Sequence, residues 1–176
     1  MTDLSESSTA PAKWGAVGEK TISWYGIEPT LQALGSLSGL EFIQAMAEGK
    51  LPWPPIASHF DMRFLAIREG EIELASIPDE SLLNGIGLVH GGVLCTLMDT
   101  AMGIAAQTLG APGVAWASIE LKVSFLKPIP YDGRELKVVG RVLKPGRNVS
   151  FTEGSAYDAD GKLIGHGTSS LAAVGG

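Results

Sequence analysis

Little in this sequence is basic, sulfur-bearing or long enough in apolar run to cross a membrane. Thirteen Lys and Arg stand against nineteen Asp and Glu, a formal net charge of −6. That balance disfavours non-specific binding to nucleic acid or to anionic membrane, and a polyanionic ligand would need a local basic patch. The single cysteine, Cys95, excludes an internal disulfide and leads to the expectation of a reducing, cytoplasmic setting. His59, His90 and His166 lack the spacing of a ligand set, so no metal is expected. The nearest approach to a membrane span, Val93 to Leu109, falls short of the usual ~20 residues and carries Asp99, Gly103 and Gln107. The opening "MTDLSESSTAPAK" shows no basic region followed by an apolar one.

What is present is ample core material. Apolar residues make up 45% and charged residues 18% of 176, which favours one packed domain with an N-terminal extension. Residues 1 to about 13 are rich in Ser, Thr and Ala and are expected to be disordered. "SGLEFIQAMAEGK" predicts a short amphipathic helix: Ser38 and Glu41 have capping-box spacing, and Leu40, Ile43 and Met46 or Ala47 share a face. Gly49 and the prolines of "LPWPP" end it, with Trp53 read as a packing plug. The flexible N-terminus and helical extension are placed at residues 1–50, and the main domain at 51–176.

Two alternating runs, "HFDMRFLAIREG" and "EIELASIP", predict a hairpin turning at Glu69-Gly70, with His59 and Asp61 at the edge of its first strand. A long apolar helix follows, then four strands. In "WASIELKVSFLKP", Ile119, Leu121, Val123 and Phe125 take one face, and Glu120, Lys122 and Ser124 the other. Asp160-Gly161 marks a tight turn between the last two strands. A helix apolar on nearly every side must be covered on nearly every side. The expected architecture is α+β, a long central helix wrapped by a curved antiparallel β-sheet.

One carboxylate interrupts that helix. At ~100° per residue, Asp99 shares a face with Gly92, Cys95, Thr96, Gly103 and Ala106. All are small, so the stripe suits close approach by another helix or by a ligand. Cys95, inside the helix, is a poor nucleophile. Gly91 and Gly92 open the helix, either to ease a tight turn or to expose N–H groups to negative charge. Eight residues separate Gly91 from Asp99, roughly 12 Å along the axis. One reacting carbonyl cannot meet both at ~3 Å within one chain. If both act on one substrate, two antiparallel helices must meet at a two-fold interface.

The string Asn84-Gly-x4-His90-Gly91-Gly92-x6-Asp99 resembles the hotdog-fold acyl-CoA thioesterases of the phenylacetate-pathway type, within the 4-hydroxybenzoyl-CoA thioesterase superfamily. The resemblance runs from about Leu51 to the C-terminus through "GAPGV", "LKVSFLKP", "GRVLKPGR" and "DADGKLIGHGTSS". It implies a hotdog domain that hydrolyses acyl-CoA to acid and CoA, with Asp99 as general base or nucleophile. Gly91 matches the oxyanion N–H, Asn84 the residue positioning substrate or water, and His90 the organiser of the site. Ser118 is the matching hydroxyl on the following strand. Related aromatic-acyl enzymes use a Glu further along the helix; here that turn is Met102-Gly103, which leaves Asp99. The substrate is the CoA thioester itself, with no further cofactor. The assembly implied is a homodimer pairing into a homotetramer.

Gly92 and Thr96 are candidate substrate contacts. Lys122, Lys127, Lys137, Arg141, Lys144 and Arg147 gather in the strand region, either as a solvated face or as a site for CoA phosphates. Lys127 and Arg147, the latter in the "KPGRN" turn, are the nucleotide-contact candidates. Trp116 and Phe125 admit several acyl types, and the acyl group stays open. "GIGLVHGG" is one residue off the dinucleotide fingerprint and precedes no βαβ unit. A hotdog hydratase or dehydratase lacks its usual Asp-His pairing here. A non-catalytic acyl-CoA-binding protein needs the pocket but neither acid nor base. His166 reads as packing.

Overall fold

The structure, a computed structural model, describes residues 14–175; the expectation for the Ser/Thr/Ala-rich start lies outside them. Three short helices come first: α1 (Glu28–Leu34), α2 (Gly39–Ala47) and α3 (Pro55–His59). The hairpin β1 (Arg63–Arg68) and β2 (Glu71–Ser76) follows, then the long helix α4 (Gly91–Gln107). Strands β3 (Ala115–Phe125), β4 (Leu136–Lys144), β5 (Val149–Tyr157) and β6 (Leu163–Val174) complete the chain. All strands join one antiparallel sheet in the order β1-β2-β4-β5-β6-β3. With α4 seated on its inner face, this is the hotdog arrangement. Among the described residues no helix is long and apolar enough to cross a membrane.

Local chemistry accounts for the helix ends. Ser38 and Glu41 form the expected capping box, the Glu41 carboxylate accepting the Ser38 N–H at 3.0 Å. On α2 the expected Ile43 and Met46 are buried, joined by Phe42 and Gly39; Leu40 is only half-buried, and of the pair Met46 or Ala47 it is Met46 that faces in, Ala47 being exposed. Phe42, Ile43 and Met46 join the central core. α1 and α3 were not expected. Each begins with a proline in its first turn, where the fixed φ suits a helix and the missing N–H costs nothing. That preference overrides the alternation read in "HFDMRF". His59 therefore closes α3, and Asp61 sits in the turn after it at φ +46°, so neither lies on a strand. Trp53 packs on Phe64 with ring centroids 4.2 Å apart, in the plug role expected of it.

The core is the seam between α4 and the sheet. Leu94, Leu97, Met98, Ala101, Met102 and Ala105 are fully buried against Ile72, Leu74, Val138, Ala156 and Leu171. Glycines make the seating close. A Cβ on Gly140 would overlap the Ala101 carbonyl, and one on Gly165 would stand 3.2 Å from Met98 Cε. The far end is pinned by the Thr108 hydroxyl, which accepts the Gly70 N–H at 2.8 Å and donates to Ala105 O at 2.7 Å.

β3 is an edge strand and carries a bulge. Its pairing with β6 slips between Ser118 and Glu120, so Ile119 has no partner. Strict alternation, as expected, would put Ser118 and Leu121 on opposite faces. The slip brings Ser118, Leu121, Val123 and Phe125 onto the inner face, opposite Leu171, Ser169, Gly167 and Gly165. Ile119, expected in the same row, is instead the bulged residue and is 61% exposed.

If the glycine bed sets the helix–sheet distance, Gly140→Ala is expected to destabilise the fold by about 1–3 kcal/mol through overpacking. The measure is the urea midpoint at unchanged denaturant slope.

Candidate active site

One sheet can cover only one side of a helix, and the uncovered side of α4 is the small-residue stripe. Cys95, Thr96, Asp99 and Gly103 are half-buried and Gly92 is exposed, while Ala106, expected on the stripe, is buried in the core. Asp99 is therefore not sealed in the interior; it stands at the border of sheet and open surface. Burial raises the Cys95 thiol above its ordinary value, which fits the expectation of a poor nucleophile.

Two residues expected at the site meet directly. The Ser118 hydroxyl donates to Asp99 Oδ1 at 2.6 Å, a charge-assisted bond; among the described residues Oδ2 has no hydrogen-bond partner. The bulge at Ile119 is what points Ser118 inward. Thr96, one turn back, spends its hydroxyl on Gly92 O at 3.0 Å.

The other half gathers at the helix N-terminus. His90 is the N-cap: its Nδ1 accepts the Gly92 N–H at 2.8 Å, and its carbonyl accepts the Val93 N–H at 2.9 Å. Gly92 N–H is thus occupied. Among the described residues Gly91 N–H has no acceptor, and it is the open donor of this helix end. The glycine pair has two separate reasons. A Cβ on Gly92 would come 3.0 Å from His90 Nδ1, and one on Gly91 would come 3.1 Å from the Phe125 ring. Asn84 Oδ1 accepts the N–H groups of Ile86 (3.0 Å) and Leu88 (3.1 Å), holding the loop that delivers His90. Its role in one chain is to shape that loop.

The structure separates the two half-sites within the chain, about 12 Å apart along α4. It also divides the cations. Arg141 and Lys137 are engaged by Glu71 and Glu73 across the outer sheet face, and the Arg141 guanidinium holds the Glu71 carboxyl below its ordinary value. Lys122, Lys127, Lys144 and Arg147 are exposed and make no ion pair among the described residues. Lys127 follows the Phe125 end of β3, whereas the Arg147 turn adjoins the Ala115 end through the Ala173 N–H bond to Asn148 O. Eleven residues of strand put those ends roughly 30 Å apart. His166 lies on the outer face, 3.7 Å from Glu153. Phe125 at Gly91 was named from sequence only as a generic acyl-pocket aromatic. No sequence pattern places its ring on that glycine, because the contact depends on the bulge and on Gly165.

Fold and site together define a hotdog domain with an acid on its central helix and an open N–H at that helix's start. A thioesterase superfamily model matches residues 86–164. Human acyl-coenzyme A thioesterase 13 is 34% identical over 92 residues, 51% of this chain and 63% of that protein, so the match spans less than two thirds of its length. A protein of Saccharolobus solfataricus named as an esterase is 31% identical over 108 residues, covering 61% of this chain and 75% of its own. The structure of a phenylacetic acid degradation-related protein of Ralstonia eutropha superposes with TM-score 0.68 at 26% identity, over 73% of this chain and 97% of that one. The chain belongs to the thioesterase superfamily.

His90 organises this end by capping, so His90→Ala is expected to cost about 1 kcal/mol of stability. Chemical denaturation of the variant beside the parent protein measures it.

Proposed function

We propose that this chain is an acyl-CoA thioesterase, hydrolysing an acyl-CoA to a free carboxylic acid and CoA in a site shared by two copies. The observation that carries the reading is the Ser118–Asp99 hydrogen bond on the uncovered stripe of α4, with the open Gly91 N–H at the start of the same helix. An acid held by a hydroxyl, half-buried and in no ion pair among the described residues, is equipped to take a proton from water.

The dimer follows from two unfinished surfaces. β3 is an exposed sheet edge eleven residues long, with Ile119 and Phe125 more than half exposed, and such edges are normally paired or covered. Antiparallel pairing of β3 with its copy sets the two α4 stripes side by side. It carries Asp99 of one chain toward Gly91 of the other. The same pairing brings the Lys127 end of one β3 beside the Ala115 end of the other, where the Arg147 turn lies. Two free cations then flank each site, as the phosphates of CoA require.

In the reaction, a water held by Asp99 Oδ2 and the Ser118 oxygen attacks the thioester carbon while Asp99 takes its proton. The carbonyl oxygen becomes the oxyanion and accepts the Gly91 N–H of the other chain. Collapse breaks the carbon–sulfur bond, and Asp99 returns the proton to the CoA thiolate. We assign Asp99 as base rather than nucleophile because the Ser118 oxygen stands beside it as a second anchor for a water, and its half-buried position admits that water.

Gly91→Pro removes the one N–H and suits the first helical position, and His90 before it already has φ −62° and ψ 136°; Gly91→Ala, which adds the same Cβ against the Phe125 ring but keeps the N–H, separates the lost donor from the crowding. Gly91→Pro is expected to lower kcat ~10²–10³-fold, and Asp99→Asn to abolish turnover with the dimer intact. Equal mixing of the two inactive proteins, after subunit exchange, is expected to restore about a quarter of parental activity through one whole site per heterodimer. Absence of complementation, with heterodimers confirmed by mass, defeats the shared site. Under single turnover in ¹⁸O-water the first acid released is expected to carry the label; unlabelled acid would make Asp99 the nucleophile.

A further inference from the structure

The ring of Phe125 lies against the bare Cα of Gly91. Its Cε1 and Cζ stand 3.1 Å from where a Cβ on that glycine would be. Bond geometry then puts the ring within about 6 Å of the Gly91 nitrogen. A carbonyl oxygen accepting that N–H sits ~3 Å from the nitrogen. The carbon next to the carbonyl can therefore come within van der Waals range of the ring when the acyl chain runs along β3. The ring's position is set by the fold. The N–H groups of Leu126 and Lys127 both donate to Ile164 O, at 2.9 and 3.2 Å, anchoring the end of β3. Opposite Phe125, Gly165 has no side chain to hold β6 away from Leu94 and Met98. Phe125 is nonetheless 56% exposed in the single chain, so the ring has one side against Gly91 and much of the rest open toward the space a second copy would share. Leu121 and Val123 continue the same inner row toward Ser118.

We propose that Phe125 is the specificity-determining residue of the site, accepting acyl groups that are flat or unbranched beside the carbonyl and rejecting those branched there. The inference rests on the thioesterase reading and deepens it. The open side of the ring stacks on a planar or extended carbon chain, whereas a branch on the first carbon meets ring atoms that Gly91 and the strand anchor hold in place. Shortening the side chain opens the space a methyl group needs.

The test uses the full chain and two isomeric substrates, hexanoyl-CoA and 2-methylpentanoyl-CoA, which differ in where one methyl sits and not in carbon number. The parent protein is expected to prefer the straight isomer in kcat/KM. Phe125→Ala is expected to cut that preference at least ~10-fold, the scale of one methyl group in a pocket, and Phe125→Leu to cut it by less. Phe125→Leu keeps an apolar side chain at the sheet edge and carries the test if the alanine variant fails to fold. An active parent enzyme whose isomer preference is unmoved in the folded variants, or one that prefers the branched isomer, overturns the proposal and leaves the thioesterase reading standing. A parent protein that turns over no acyl-CoA of a panel spanning short, long, branched and aromatic acyl groups overturns both.

Discussion

The close seating of α4 on a glycine-lined sheet is the constraint on which the rest of this molecule depends. Gly140, Gly154 and Gly165 lie on the inner face where side chains would otherwise hold the helix away. Their bareness lets Leu94, Met98 and Met102 sink fully into the sheet, which is where apolar burial stabilises the fold most. The same closeness fixes what is left over. A helix pressed onto one concave sheet has a far side that the sheet cannot reach, and on α4 that far side is made of small residues and one carboxylate. Core and site are thus two faces of one packing decision.

The division of chemistry along the helix follows from its length. The acid and the open N–H occupy separate turns, each furnished by a different neighbour. Ser118 comes from the strand and His90 from the cap, while Asn84 shapes the loop that leads into the cap. The two glycines at the helix start are not a repeated device. One leaves room for an imidazole that quenches a donor, the other for an aromatic ring beside a donor left open. The chain therefore carries two separate clusters, Asp99 with Ser118 and Gly91 with His90, and the proposed pairing at the β3 edge is what would join them.

Much of this was legible in the residues. The order of elements, the capping box at Ser38 and Glu41, the turns at Gly70 and Gly161, and the small-residue face around Asp99 all follow from periodicity and turn chemistry. α1 and α3 were hidden because their signal is a proline in a short helix's first turn, which competes with apparent alternation; His59 and Asp61 were misplaced for that reason. On α2 Ile43 and Met46 face the core as expected, and Phe42 is buried where Leu40 was expected. Ser118 was reached through family resemblance, not pattern. Alternation alone turns it away from the helix, since an unpaired residue in a strand leaves no mark in the sequence. Contacts between distant segments, such as Phe125 on Gly91, were beyond any local rule.

The bulge at Ile119 bears on how such a site can change. It acts as a parity switch within β3, setting even-numbered residues inward before it and odd-numbered residues inward after it. Removing the extra residue would restore alternation through the whole strand. Either Ser118 would turn from Asp99, or Phe125 would turn from Gly91, with every side chain of the site still encoded. A deletion of one codon would therefore part the Ser118–Asp99 contact from the Phe125–Gly91 contact while leaving all four residues in the sequence.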